Sequence, residues 1–352
     1  MNTLIRNFVL TVALTSLLLI AAGCGNQGPV PDPSTIQKAP PRPVILDVDM
    51  AHEDMHAALF LLAHPNVDVR AITVTGTGEA HCGAGVENAL GIVAVSGQPD
   101  IPVSCGRETP LTGDHQFPAE WRQDADQAYG VTIPDSGEPS PLNAPELIVS
   151  TLQNTDEKIS IVAVGPLTNI ADAIQTAPEI VSRIEAVYIM GGAVEVDGNV
   201  GMSGVGIDNP FAEWNIYIDP VAANLVLGSG VPIILVPLDA TRDVPVTRNF
   251  YNSLDEHRST PSANLVFELM TANLDFIDSG GFQFWDSLTA AIFTDETIAT
   301  FEDMTLKVVE EEGAESGYTR PSPDGYPVRV AVRADPSGFK TLFLTILNWD
   351  GE

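Results

Sequence analysis

Asp47, Asp49, Glu53 and Asp54 place four acids within eight residues, directly after the apolar run Val44-Ile45-Leu46. Carboxylates packed this closely repel one another, and burial at the end of an apolar strand deepens the repulsion. A hard divalent cation offsets it best, because carboxylate oxygens suit Ca2+ or Mg2+. The plainer reading is a solvated acidic turn opening a helix, since acids favour helix N-termini. The residues that follow fit such a helix: Met55, Ala58, Leu59 and Leu62 recur at i, i+3, i+4 and i+7. The same stretch contains His52-Glu53-Asp54-Met55-His56, a literal match to the zinc-peptidase pattern H-E-x-x-H. That pattern needs a third ligand, and no signature for one follows in order. His52 and His56 are therefore expected at the rim or on the surface.

The elements that must carry these residues alternate between strand and helix. Strands are expected at Val69–Val74, Ile159–Val164, Ala186–Met190 and Val231–Leu238, each nearly all apolar. Helices are expected at Gly85–Val95, after Gly165-Pro166, and after Asp219-Pro220, where the aspartate caps and the proline takes the first helical position. Trp214 and Ile216 read as strand positions facing the core. Continuously apolar strands separated by helices predict an α/β fold: a mostly parallel sheet with helices on both faces. Ligands in such sheets bind beyond the carboxyl ends of the strands. Asp47, Asp49, Thr77, Gly165, Gly191 and Asp239 all fall there.

The chain divides into three parts. Residues 1–23 read as a signal peptide, with Arg6 before an apolar run from Phe8 to Ala22 too short for a stable span. Its end, Ala21-Ala22-Gly23-Cys24, resembles a bacterial lipobox, so Cys24 is the expected lipidation site. An ordinary secretory signal cut nearby is the alternative. Residues 24–43 hold Pro29, Pro31, Pro33, Pro40, Pro41 and Pro43 and read as an extended tether. Residues 44–352 form the folded domain. The expected location is outside the cytoplasm, lipid-anchored on the periplasmic or cell-surface side of a bacterial membrane. The balance of 47 Asp+Glu against 16 Lys+Arg excludes a nucleic-acid polymer as partner, because nothing offsets phosphate repulsion. It also fits a saline habitat. Cys82 and Cys105 either pair or remain buried thiols.

Five segments, in order, resemble the inosine–uridine preferring nucleoside hydrolases. Asp47-x-Asp49-x-x-x-Glu53-Asp54 is similar to that family's D-x-D-P-G-x-D-D, and Gly165-Pro166-Leu167-Thr168-Asn169-Ile170-Ala171 to its G-P-L-T-N-I-A. Met190-Gly191-Gly192 resembles its M-G-G, and Ala212-Glu213-Trp214-Asn215 through Asp219-Pro220 its A-E-F-N-x-x-x-D-P. Trp285-Asp286 falls where the family has a late aspartate. The resemblance implies a Rossmann-like nucleoside hydrolase fold and Ca2+-dependent hydrolysis of the N-glycosidic bond of ribonucleosides, serving salvage. Carried over, Asp49, Asp54 and Asp286 would bind the cation through carboxylates and Val164 through its carbonyl, with Asp49 also the general base. Glu53, Asn215, Glu213 and Met190 would contact the ribose. Thr77 stands where the family has an asparagine. Trp285 stands where some members carry a histidine that protonates the leaving base. Tryptophan cannot do that, which leaves stacking on its ring as the route to activation. His115 is a candidate to approach the leaving group. Met50 and Ala51 replace the motif's proline and glycine, and Glu53 its aspartate. The family is commonly oligomeric, so a homo-oligomer is expected. A second reading, favoured by Glu53 and Trp285, is a Ca2+-dependent lipoprotein that captures nucleosides or other ribosides without cleaving them.

Overall fold

The computed structural model describes residues 38–350. The signal segment, Cys24 and the tether up to residue 37 lie outside the described residues. Nine strands form one sheet: β1 (Arg42–Val48), β2 (Val67–Val74), β3 (Val103–Cys105), β4 (Ile159–Ala163), β5 (Ile184–Met190), β6 (Ile233–Val236), β7 (Ala299–Val308), β8 (Thr319–Pro321) and β9 (Tyr326–Ala334), in the order β3-β2-β1-β4-β5-β6-β9-β7-β8. Strands β1 to β6 and β9 pair in parallel. The β7 strand pairs antiparallel with both β8 and β9. The mostly parallel sheet is as expected, and the antiparallel edge is an addition to it. Strand β1 begins at Arg42, so the folded domain starts two residues before the expected boundary.

Strand order reverses at β1. The chain builds outward through β2 and β3, then returns to place β4 on the other side of β1. A crevice opens beyond the carboxyl ends of β1 and β4 at such a reversal. Alternation of side chains feeds both faces. On one face Ile45, Ile161 and Val187 pack beneath the helices Ala144–Gln153, Thr168–Thr176 and Pro220–Leu227. The helices His52–Ala63, Pro261–Ala272, Trp285–Thr294 and Pro336–Leu347 pack together in another layer. There Phe60 stacks on Phe343 at 5.4 Å and Phe284 packs on both Phe339 and Phe343. Burying one such ring contributes about 1.5–3 kcal/mol. This aromatic layer fixes the helix that opens at His52 against the helix that opens at Trp285.

Several local expectations need correction. The expected strand Val231–Leu238 is shorter, Ile233–Val236, and Pro237 turns the chain into a short helix from Leu238 to Thr241. Trp214 and Ile216 are helical, in Trp214–Ile218, because Glu213 caps that turn with its carboxylate. The Asp219 cap is as expected: its Oδ1 accepts from the Ala222 amide at 3.0 Å. Cys82 and Cys105 are disulfide-bonded, which joins the start of the helix Cys82–Val95 to the end of β3.

Candidate active site

Asp49 follows β1 and is held by two loops. Its Oδ2 accepts from the Glu79 amide at 3.1 Å, and its carbonyl accepts from the Ala80 amide at 2.9 Å. Its own amide donates to Asp54 Oδ1 at 2.8 Å. A Cβ on Gly78 would stand 2.0 Å from Asp49 Cβ, and one on Gly165 would stand 2.8 Å from it. The loops after β2 and β4 therefore close on Asp49 at positions where only glycine fits. Next to it, Met50 adopts a left-handed backbone with φ 66°. That conformation costs a non-glycine residue roughly 1–2 kcal/mol, a strain of the kind stored at functional sites.

Asp54 and Asp286 come from the first turns of the two packed helices, and both are buried. One oxygen on each, Oδ2, has no hydrogen-bond partner, whereas Glu53 Oε2 stands 3.2 Å from His52 Nδ1. Buried carboxylate oxygens left unpaired are costly unless something else satisfies them. Burial is the main cause raising the carboxyl pKa of all five neighbouring acids. Glu53 is pushed up to about 8 by burial and then by the charges of Asp49 and Glu213. Glu213 rises to about 7, and Asp49, Asp54 and Asp286 rise as well. After burial, the charges of Asp49 and Asp286 raise Asp54, and those of Glu53 and Asp49 raise Asp286. The sequence-distant Asp286 thus meets the opening motif.

Val164, Met190 and Asn215 converge beside this cluster. Asn215 Nδ2 donates to the Val164 carbonyl at 2.8 Å and to the Met190 carbonyl at 3.3 Å. Glu213 acts first as a cap: its oxygens accept from the amides of Gly192, Asn215 and Ile216 at 2.9, 2.9 and 3.2 Å. Trp285 is half-buried, 5.8 Å from the Phe282 ring and 6.4 Å from that of Phe276, a residue 40% exposed. Thr77 is buried in a hydroxyl chain, 3.0 Å from Thr75 Oγ1 and 3.1 Å from Thr168 Oγ1, with Thr168 donating to Asp219. His115 stacks on Tyr217 at 4.0 Å and is tied to the Tyr217 carbonyl and to Glu312.

Other polar residues serve the framework. Asp47 Oδ1 accepts from Thr73 Oγ1 at 2.5 Å and from Asn169 Nδ2 at 2.8 Å, which ties β1 to β2 and to the helix after β4. Asp239 accepts from the amides of Val194 and Glu195 and fixes the loop after β5. His52 and His56 are buried, at 8% and 1% exposure, not at the surface. The segment bearing Phe282 folds over them, with its ring 4.4 Å from His52 and 6.1 Å from His56. Their own rings stand 6.3 Å apart at 79°, in aromatic surroundings that do not suit a zinc centre.

Glu79 was not anticipated. Its carboxyl is raised well above the usual range, by burial and then by Glu53 and Asp49, and it accepts from the Tyr129 hydroxyl at 2.9 Å. It is a lone acid in a glycine-rich loop, and nothing in its spacing marks it. Among the described residues no three His, Cys, Asp or Glu side chains form a ready-made ligand set. Asp49 and Asp54 each turn one oxygen onto a loop amide.

A family model described as inosine-uridine preferring nucleoside hydrolase matches residues 44–341. A pyrimidine-specific ribonucleoside hydrolase of Shewanella sp. (strain ANA-3) is 34% identical over 242 residues, covering 67% of this chain and 69% of that protein. A plant nucleoside hydrolase structure superposes with a TM-score of 0.78 at 28% identity, covering 88% of this chain and 99% of the other. A purine-preferring ribonucleoside hydrolase from Gardnerella vaginalis gives 0.74 at 26% identity, over 87% of this chain and 98% of the other. With the family match running almost from β1 to the last helix, and with the motif acids meeting at the sheet's reversal, this chain belongs to the inosine–uridine preferring nucleoside hydrolase family and is a ribonucleoside hydrolase.

Proposed function

We propose that the chain hydrolyses the N-glycosidic bond with Asp49 as general base beside a Ca2+ site. The supporting observation is the set of buried, unpaired carboxylate oxygens on Asp54 and Asp286 next to Asp49. Asp49, Asp54 and Asp286 would hold the ion through carboxylates and Val164 through its carbonyl, an all-oxygen donor set of the kind Ca2+ prefers. When bound, such an ion offsets the acids' mutual repulsion and acidifies water.

Asp49 takes the proton from the attacking water as its oxygen bonds to the anomeric carbon. The electron pair of the carbon–nitrogen bond leaves with the base, so positive charge develops on the sugar ring. The surrounding carboxylates favour that charge. Glu53, in the first turn of the helix His52–Ala63, and Asn215, next to Val164 and Met190, are the groups assigned to ribose hydroxyls. Glu213 orients Asn215 through its cap and faces the 5′ side. Trp285 with Phe276 would stack the base. The engagement of Thr77 and His115 with protein partners favours positioning roles for both.

The relatives named above differ in base preference, so substrate choice is a matter for assay. Ribose release from a nucleoside panel, lost in Asp49→Ala, tests the reading; full turnover in that variant contradicts it. We further propose that the protein works outside the cytoplasm, anchored through Cys24. The Cys82–Cys105 disulfide supports an oxidising compartment. A wild-type protein in the membrane fraction and a soluble Cys24→Ser variant are expected; equal solubility would contradict the anchor.

A further inference from the structure

A positive charge sits beside this acidic cleft. Arg122 lies on the helix Ala119–Asp126 and is only 6% exposed. One of its terminal nitrogens donates to the carbonyls of Gly76 and Ala80, at 2.9 and 3.4 Å. Those two carbonyls bracket the turn whose Glu79 and Ala80 amides hold the Asp49 carboxylate and carbonyl. The turn carries Gly76 and Gly78, and a side chain at either position would collide with its surroundings. Its own side-chain anchors are Thr77, in the hydroxyl chain, and Glu79, bonded to the Tyr129 hydroxyl; Arg122 adds bonds to the backbone at its two ends. Arg122 Nε is buried without a partner, and its charge reaches Asp49. A buried guanidinium with an unsatisfied donor is costly, and nearby acids offset the cost.

We infer that Arg122 is a positioning residue for the reaction: it clamps the Gly76–Ala80 turn onto Asp49 and so fixes that carboxylate for proton removal and for cation binding. Both bonds come from one terminal nitrogen, which lies one bond farther along the side chain than a lysine ammonium would, so lysine at this position falls short of the two carbonyls unless the helix moves. Arg122 touches no reacting atom; it acts through the amides of Glu79 and Ala80. This inference rests on the assignment of Asp49 above.

The test compares wild type, Arg122→Met and Arg122→Lys as full chains stripped of metal and titrated with Ca2+. Calorimetry gives Ca2+ affinity, ribose release from inosine and uridine gives kcat and KM, and thermal melts report folding. Arg122→Met is expected to lose roughly 100-fold in kcat, as a misplaced group does, with KM within about twofold. Its Ca2+ affinity is expected to fall about tenfold, as for other outer-shell partners of metal ligands. Arg122→Lys is expected to melt near wild type yet bind Ca2+ measurably more weakly. A folded Arg122→Met with unchanged kcat and Ca2+ affinity, altered only in Tm, would make the residue purely structural. Should that variant fail to fold, wild-type kcat and Ca2+ affinity in Arg122→Lys would overturn the inference. If the wild type itself neither binds Ca2+ nor releases ribose, the Asp49 assignment falls and this inference with it.

Discussion

Asp49 is crowded by design of its neighbours, and its surroundings make its substitutions informative. Asp49→Ala should lower kcat by about 10²–10⁴-fold, the usual contribution of a general base, measured by ribose release. Gly78→Ala is the complementary change. Its new Cβ would need to share space with Asp49 Cβ, at 2.0 Å, so the loop or the acid must move. A stability loss of about 1–3 kcal/mol in denaturant titration is expected, with activity falling alongside. A fully active Gly78→Ala would show that Asp49 is not held by this loop. Asp49, Glu53 and Asp54 were legible as a cluster from spacing, because acids this close after an apolar strand repel one another, whereas the framework role of Asp47, bonded to Thr73 and Asn169, was not. Asp286 was legible only through resemblance, since it lies far along the chain in an apolar helix. Glu79 and Arg122 were not legible: each is a lone charged residue whose meaning comes from the partner that the fold supplies. His52 and His56 were misplaced because their burial depends on a distant segment, the one carrying Phe276 and Phe282.

The elements were easiest to read where one pattern governs a whole segment. The apolar strands β1, β2, β4 and β5 and the proline-capped helix after Asp219 follow directly from their residues. The short helix Trp214–Ile218 escaped because alternating apolar residues imitate a strand over five positions, and a cap overrode that pattern. The antiparallel strands β7 to β9 carry many polar residues at a half-exposed edge, so no continuous apolar run marks them. The disulfide is an element-scale device. It closes a loop between residues 23 apart, from the helix that follows the Asp49 clamp to the end of β3. Removing it with Cys82→Ser and Cys105→Ser should cost about 3 kcal/mol by the loop-entropy estimate. Chemical denaturation with and without reductant checks this; equal midpoints would mean that the bond contributes nothing to stability.

At the scale of the whole molecule, the dominant quantity is negative charge: −31 overall, with buried acids gathered at one end of the sheet. Glu53, raised to about 8, and Glu213, raised to about 7, hold protons in the metal-free fold that an unfolded chain would release near pH 4.5. The fold therefore binds more protons than the unfolded chain between those limits, and stability falls as pH rises through them. The metal-free Tm should drop between pH 5 and about 8. Added Ca2+ should restore it, with the gain growing as pH rises, because ionised carboxylates bind the cation better. A metal-free Tm that climbs across this range would contradict the burial of these acids. The most direct measurement is ribose release by chelator-stripped protein as Ca2+ is returned. The account predicts negligible turnover without the ion and saturable recovery with it, absent in Asp286→Ala. Undiminished turnover by the stripped protein would contradict it.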